Sequence, residues 1–266
     1  MLRKLIKYEF KATGRVFLPF FLSLLIFAVI NKLISPADPE YWGFPAAISM
    51  VIYIMIMVGM FVMTTIIMLQ RFYRNLLSDE GYLMFTLPTK TWKLIASKLV
   101  MSIFWIIASL AVAFLSILII IYQKGVFMES WRLLTEGYRT IYEMIGASLY
   151  TITLEIIIGS LFTLVFGIVL VYASMAIGHL FNRHKILASF GAFIALNTLA
   201  QILFSLFCQI TPGFAWPGHE LYLQNMPNLI TLIQVFFLYG ILFTGLLSAA
   251  YFALTNYILS KKLNLE

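Results

Sequence analysis

The chain has 266 residues, of which 62% are apolar and 11% charged, and its mean hydropathy is +0.96. An ordinary soluble domain carries about 25% charged residues, so this one could not cover its outside. Disorder and collagen-like repeats are excluded by the same composition, which leaves a membrane-embedded protein.

Crossing a hydrocarbon core of about 30 Å takes about 20 apolar residues in a helix. Six stretches qualify, near residues 16–34, 46–69, 99–122, 156–177, 186–207 and 229–259. Unbroken apolar runs of this length are unlike the short alternating segments of membrane barrels. The expected fold is therefore an all-α membrane protein with six transmembrane helices. No linker, charge block or repeat divides the chain, so one transmembrane domain over residues 1–266 is expected.

Before the first span, residues 2–17 place Leu2, Leu5, Ile6, Phe10, Thr13 and Phe17 on one helical face. Lys4, Lys7, Lys11 and Arg15 lie opposite. This is either an amphipathic helix in the headgroup layer or an ordinary basic flank, and its regularity favours the interfacial helix. The first span starts too late, and is too long, for a cleaved signal peptide.

Span two concentrates Met50, Met55, Met57, Met60, Met63 and Met68, with Thr64 and Thr65 among them. Methionines either fill gaps or line a surface that adapts to different ligands. The loop that follows, 70–98, is far longer than two adjacent spans need. Ser78-Asp79-Glu80-Gly81 reads as a break, followed by the exposed apolar run Tyr82, Leu83, Met84, Phe85. Pro88-Thr89 reads as a second break, with Thr89 as N-cap of the helix entering span three. An apolar patch on such a loop either docks on a partner or folds back on the bilayer.

The loop 123–155 alternates Glu129, Arg132, Glu136, Arg139 and Glu143, as in a surface helix with local ion pairs. Glu155 is expected at the interface, because 156–177 suffices to span. Span four carries Gly159, Thr163 and Gly167, a small-residue face for close helix packing. His179 and His184, five apart in a short basic loop, read as solvated rather than as metal ligands. In span five Asn197, Gln201, Ser205 and Gln209 form one polar stripe, which should face a neighbouring helix or a watery path. Between spans five and six, Pro212, Gly213, Pro217, Gly218 and Pro227 allow either short re-entrant pieces or an irregular loop anchored by Trp216 and Tyr222.

Of 18 Lys and Arg residues, 14 lie in the N-terminal segment, the loops after spans two and four, and the C-terminal tail. Lys32, Lys124, Arg132 and Arg139 lie on the other side. By the positive-inside rule both termini are cytoplasmic. The formal charge of +7 is thereby a topology signal, and nucleic-acid binding is not needed to explain it.

The opening MLRKLIKYEFKATGRVFLPF, joined to the loop DEGYLMFTLPTKTWKLIASK, resembles the permease subunits of bacterial ABC type-2 exporters. The resemblance covers the whole chain in topology, and its recognisable wording lies in residues 1–20 and 71–98. It implies an N-terminal elbow helix and a cytoplasmic coupling helix seated in a cleft of a separate ATPase subunit. Asp79, Glu80, Gly81, Tyr82, Leu83, Met84, Phe85 and Pro88 would form that contact. It also implies two permease subunits, identical or not, whose second and fifth spans face each other across the path. Met57, Met60, Thr64, Asn197, Gln201, Ser205 and Gln209 would then line it. A location in the bacterial cytoplasmic membrane follows, with ATP and Mg handled by the partner and no cofactor on this chain.

The chemistry absent from the sequence agrees with a chain that is not an enzyme. There is no G-x-x-x-x-G-K-[ST], H-E-x-x-H or G-x-S-x-G. An intramembrane enzyme would have to use Glu155, His179 or His184. Glu155 and His179 stand 24 residues apart, about 36 Å along a helix. The remaining alternative is a self-contained channel or secondary carrier. For an exporter, a small amphiphilic peptide, drug or lipid-like molecule suits a polar stripe opposed by methionines.

Overall fold

The computed structural model describes residues 2–34, 43–78, 81, 89–122, 126–181, 183–210 and 226–262. Among them are seven helices and no strand: α1 Leu2–Ile34, α2 Phe44–Leu76, α3 Thr91–Ile121, α4 Val126–Ile145, α5 Ser148–Gly178, α6 Lys185–Ile210 and α7 Met226–Lys261. All except α4 are long and apolar enough to cross a membrane. The chain is a multi-pass membrane protein whose six spanning helices fall where the apolar runs place them.

The helices group into two compact units. The first holds residues Met1–Asn75 and Leu87–Gly137, and the second holds Leu76–Thr86 and Tyr138–Glu266. In the first, α1 and α3 run parallel with α2 antiparallel to both. The core of this unit joins Phe17, Phe21, Leu24 and Ala28 of α1 to Tyr53, Met60 and Met68 of α2 and to Met101, Trp105 and Ala113 of α3. Lipid is as apolar as leucine, so burial of apolar surface alone does not hold spanning helices together, and close packing with interhelical hydrogen bonds must. Both are present. The face that α3 buries is built largely from Ser97, Ser102, Ser109, Ala113 and Ser116. Polar pairs then stitch the helices. Tyr53 Oη lies 2.8 Å from Ser116 Oγ, and Thr64 Oγ1 lies 3.0 Å from Ser109 Oγ. Asn31 Nδ2 donates to the Ser49 carbonyl at 3.0 Å.

The N-terminal stretch departs from expectation. α1 is one unbroken helix of 33 residues, about 50 Å long. Pro19 lies inside it, and no break divides an interfacial segment from a span. The apolar side of 2–17 is recruited for packing on protein. Thr13 and Phe17 are buried and Ile6 packs against the core, while Lys4, Lys7, Lys11 and Arg15 are exposed. Trp105 decides this. Its indole stacks on Phe17 and Phe10 at 4.4 and 5.5 Å between ring centroids. Its Nε1 donates to Thr13 Oγ1 at 2.7 Å.

In the second unit α5 and α7 run parallel with α6 antiparallel. Rings of α6 and α7 interleave, with Phe204 and Phe207 at 5.2 and 5.6 Å from Phe243. Tyr251 Oη of α7 donates to the Leu196 carbonyl of α6 at 2.9 Å. The small-residue face expected at Gly159, Thr163 and Gly167 is used only at its first member. A Cβ at Gly159 would touch Ile241, whereas nothing approaches Gly167 within 4 Å and Thr163 is exposed. The other close approach comes from α7, where the Phe162 ring lies 3.0 Å from the Cβ that Gly245 lacks. The two helices thus exchange one glycine each.

Candidate functional site in the loop between α2 and α3

Of the break expected at residues 78–81, Ser78 is a bend, Gly81 is already helical, and residues 79 and 80 lie outside the described residues. α2 ends at Leu76, and the Gly81 amide donates to the Ser78 carbonyl at 2.7 Å. A Cβ at Gly81 would sit 2.9 Å from the Leu76 carbonyl oxygen, so the tight return needs glycine. Asp79, Glu80, Tyr82, Leu83, Met84, Phe85 and Pro88 lie outside the described residues. At the far end, Lys90 rather than Thr89 is the N-cap of α3, with extended dihedrals and no side-chain cap bond. The start of α3 does without the cap expected of Thr89, whose Oγ1 is buried without a hydrogen bond.

Both stems of the loop are tied to one carboxylate. Glu9 of α1 accepts from Lys98 Nζ near the start of α3 and from Arg71 Nη1 near the end of α2, the latter at 3.4 Å. Asn75 Nδ2 reaches the same carboxylate at 3.5 Å. The side chains of Glu9 and Lys98 are only 11% and 6% exposed, so the pair is held largely out of water. Thr13 completes the arrangement one turn on, donating to the Glu9 carbonyl at 2.7 Å while accepting from Trp105. Sequence reasoning missed Glu9. The available signal was its isolation, because it is the lone acid among Arg3, Lys4, Lys7, Lys11 and Arg15.

A second tie fixes the loop at its start. Leu76 and Leu77 are buried, and the segment Leu76–Thr86 belongs to the second unit. The Leu77 carbonyl accepts a hydrogen bond from His179 Nε2, at the C-terminus of α5. His179 is half-buried and not solvated as its spacing from His184 suggested, because its ring meets the carbonyl just past the end of α2. His184 remains exposed, with a left-handed φ of 58°. Burial, and then the nearby charge of Lys185, lower the His179 pKa below its ordinary value.

This shift has a pH consequence. Unfolded His179 takes its proton near pH 6.5 while the folded form resists until lower pH. The contribution of this contact is therefore complete above about pH 7 and declines as pH falls below about 6.5. In detergent, the melting temperature should drop between pH 7 and 5.5, and His179→Gln should flatten that drop. Identical pH profiles for the two proteins would remove this assignment.

The residues expected along a path divide between the units. Met60 and Thr64 are buried in the first unit and Met57 is half-buried there. Thr64 Oγ1 also donates to the Met60 carbonyl at 2.7 Å, so this side chain is engaged in packing. On α6, Asn197 is half-buried while Gln201 and Ser205 are exposed, and the side chain of Gln209 lies outside the described residues. The loop 211–225 lies outside them as well. Glu155 lies seven residues into α5, with one carboxylate oxygen buried and unbonded. α5 is continuous from there to its C-cap His179, which keeps the two groups about 36 Å apart. Among the described residues no three His, Cys, Asp or Glu side chains converge as a metal site would need. No family model, curated protein or solved structure matches the chain.

Proposed function

We propose that this chain is the transmembrane subunit of an ATP-driven exporter of the ABC type-2 class in a bacterial cytoplasmic membrane. It has no catalytic activity of its own. A separate ATPase subunit engages residues 79–88 from the cytoplasm, and a second permease subunit, identical or different, completes the transporter. The substrate class best suited to it is a small amphiphilic peptide, drug or lipid-like molecule.

The bracing of the loop is the observation that supports this reading most. A passive connection between two spans needs few residues and no anchors. Here Glu9 secures both stems and His179 grips the first residue after α2. Force applied to residues 79–88 would pass to the spanning helices rather than be absorbed by slack chain, as rigid-body rocking between inward- and outward-facing states requires.

The test is purification of the tagged chain from its native membrane in mild detergent. A stoichiometric ATPase is expected, and Tyr82→Ala with Phe85→Ala should release it and abolish ATP-dependent export without lowering the amount of inserted protein. Full transport by the double variant would exclude the coupling site. A chain that purifies alone, under conditions that keep other membrane complexes intact, would favour a channel or secondary carrier.

A further inference from the structure

Helix α4 is the element that the function above leaves unused. It is 20 residues, about 30 Å, and too polar to span. At 100° per residue, Glu129, Arg132, Glu136, Arg139 and Glu143 fall within about 80° of its circumference. Trp131, Leu134, Tyr138, Ile141 and Ile145 fall on the opposite side. Ion pairs run along the charged side, Arg132–Glu136 at 3.4 Å and Arg139–Glu143 at 3.0 Å, and exposed pairs of this kind contribute little. The apolar side is also uncovered. Trp131 is 59% exposed and Leu134 68% exposed.

Connectivity and surface continuity say what covers it. Four residues join α4 to α3 and two join it to α5. Both neighbours are 31-residue helices of about 46 Å, which matches a bilayer of about 40–45 Å counted with its headgroups. The outer end of α5 therefore lies at headgroup level, and so does the C-terminal end of α4, two residues away. A helix too polar to enter hydrocarbon, with one apolar side, is accommodated there along the membrane plane. At its C-terminus Gly146 adopts a left-handed φ of 66°, and its amide donates to the Tyr142 carbonyl at 2.7 Å, turning the chain sharply into α5. Across that turn Tyr142 and Tyr150 meet edge to face at 6.0 Å. Tyr150 heads the exposed stripe Tyr150, Leu154, Ile157 and Leu161 along α5. On a spanning helix such a stripe faces lipid. The apolar side of α4 is continuous with it.

We infer that α4 is an interfacial helix that docks on the extracytoplasmic leaflet, its Trp131–Leu134–Ile141 side immersed in lipid and its charged side in water. Three acids and two bases leave the charged side near neutral. Immersion is thus driven by apolar area and needs no anionic lipid, unlike the basic helices that bind the inner surface by charge.

The full chain in vesicles of neutral phosphatidylcholine tests this. In a Cys208→Ser background, single cysteines at 131, 134 and 141 and at 132, 136 and 143 are spin-labelled. The first set should be open to oxygen, closed to a water-soluble nickel complex, and about 5–10 Å below the phosphates. The second set should show the reverse. Access of nickel to both sets would overturn the inference, leaving a helix free in water. Shielding of the first set from both reagents would also overturn it, showing that protein covers this side. Dependence on anionic lipid would reject the neutral, area-driven mode. A further measurement leaves the fold nearly untouched. The emission difference between the native chain and Trp131→Phe isolates Trp131, and lipid brominated near its acyl carbonyls should quench it at least twofold. No quenching would count against immersion.

Discussion

Replacing Glu9 by Gln should lower the melting temperature of the detergent-solubilised protein by on the order of 10 °C, from a loss of about 3 kcal/mol. The change is nearly isosteric, so packing is preserved and only charge is removed. What remains is the ammonium of Lys98, 6% exposed, with its carboxylate gone. Removing one partner of a buried pair costs more than the pair itself contributes, because the other charge stays out of water without its counter-charge. Arg71 matters less, since its side chain is 28% exposed and water can replace the carboxylate. A second variant isolates the cause. Lys98→Met in the Glu9→Gln background removes the buried charge and should restore at least half of the lost stability. Unchanged melting in Glu9→Gln, or no recovery in the double variant, would show that the carboxylate does not hold α1, α2 and α3 together.

Among the described glycines, Gly178→Ala should be the most damaging change. An added Cβ would lie 2.6 Å from Ser189 Cα and as close to the Ser189 backbone nitrogen. Rotating the Ser189 side chain away does not help, because the main chain of α6 itself is in the way. Overpacking costs about 1–3 kcal/mol where side chains yield, and more where backbone must move. A loss beyond about 3 kcal/mol is expected, read as reduced yield of folded protein and a lower melting temperature. The matched control is Gly167→Ala on the same helix, where nothing lies within 4 Å and alanine is the better helix former by up to about 1 kcal/mol. Gly167→Ala should melt at or above the native temperature. Equal behaviour of the two variants would mean that α5 and α6 do not approach as closely as Ser189 requires.

The consequences of these changes extend to the loop between α2 and α3. Gly178 precedes His179 directly, so displacing the turn from α5 to α6 also withdraws the donor from the Leu77 carbonyl. Within the first unit Glu9 secures the stems of this loop, and within the second His179 bonds its first residue. Loss of either should loosen the segment on which the proposed ATPase contact rests.

What the sequence determined by itself was the number and order of the spanning helices. Each depends on one physical requirement, that a backbone crossing hydrocarbon satisfies its own hydrogen bonds over about 20 apolar residues. The end of α2 just before Ser78 was legible for a similar reason, since a run of polar residues closed by glycine punctuates a helix locally. What only the tertiary structure decided was the use of each face. The apolar side of residues 2–17 could have met lipid or protein, and the indole of Trp105, 92 residues away from Thr13, settled it for protein. Thr64 could have met lipid or protein, and Ser109 gave it a partner inside the first unit. His179 looked solvated until the carbonyl of Leu77 supplied its partner. In a helix that is apolar all round, periodicity carries no information about which side packs and which meets lipid. That choice rests on a few polar groups and small residues whose partners lie on other helices, and only the folded chain brings them together.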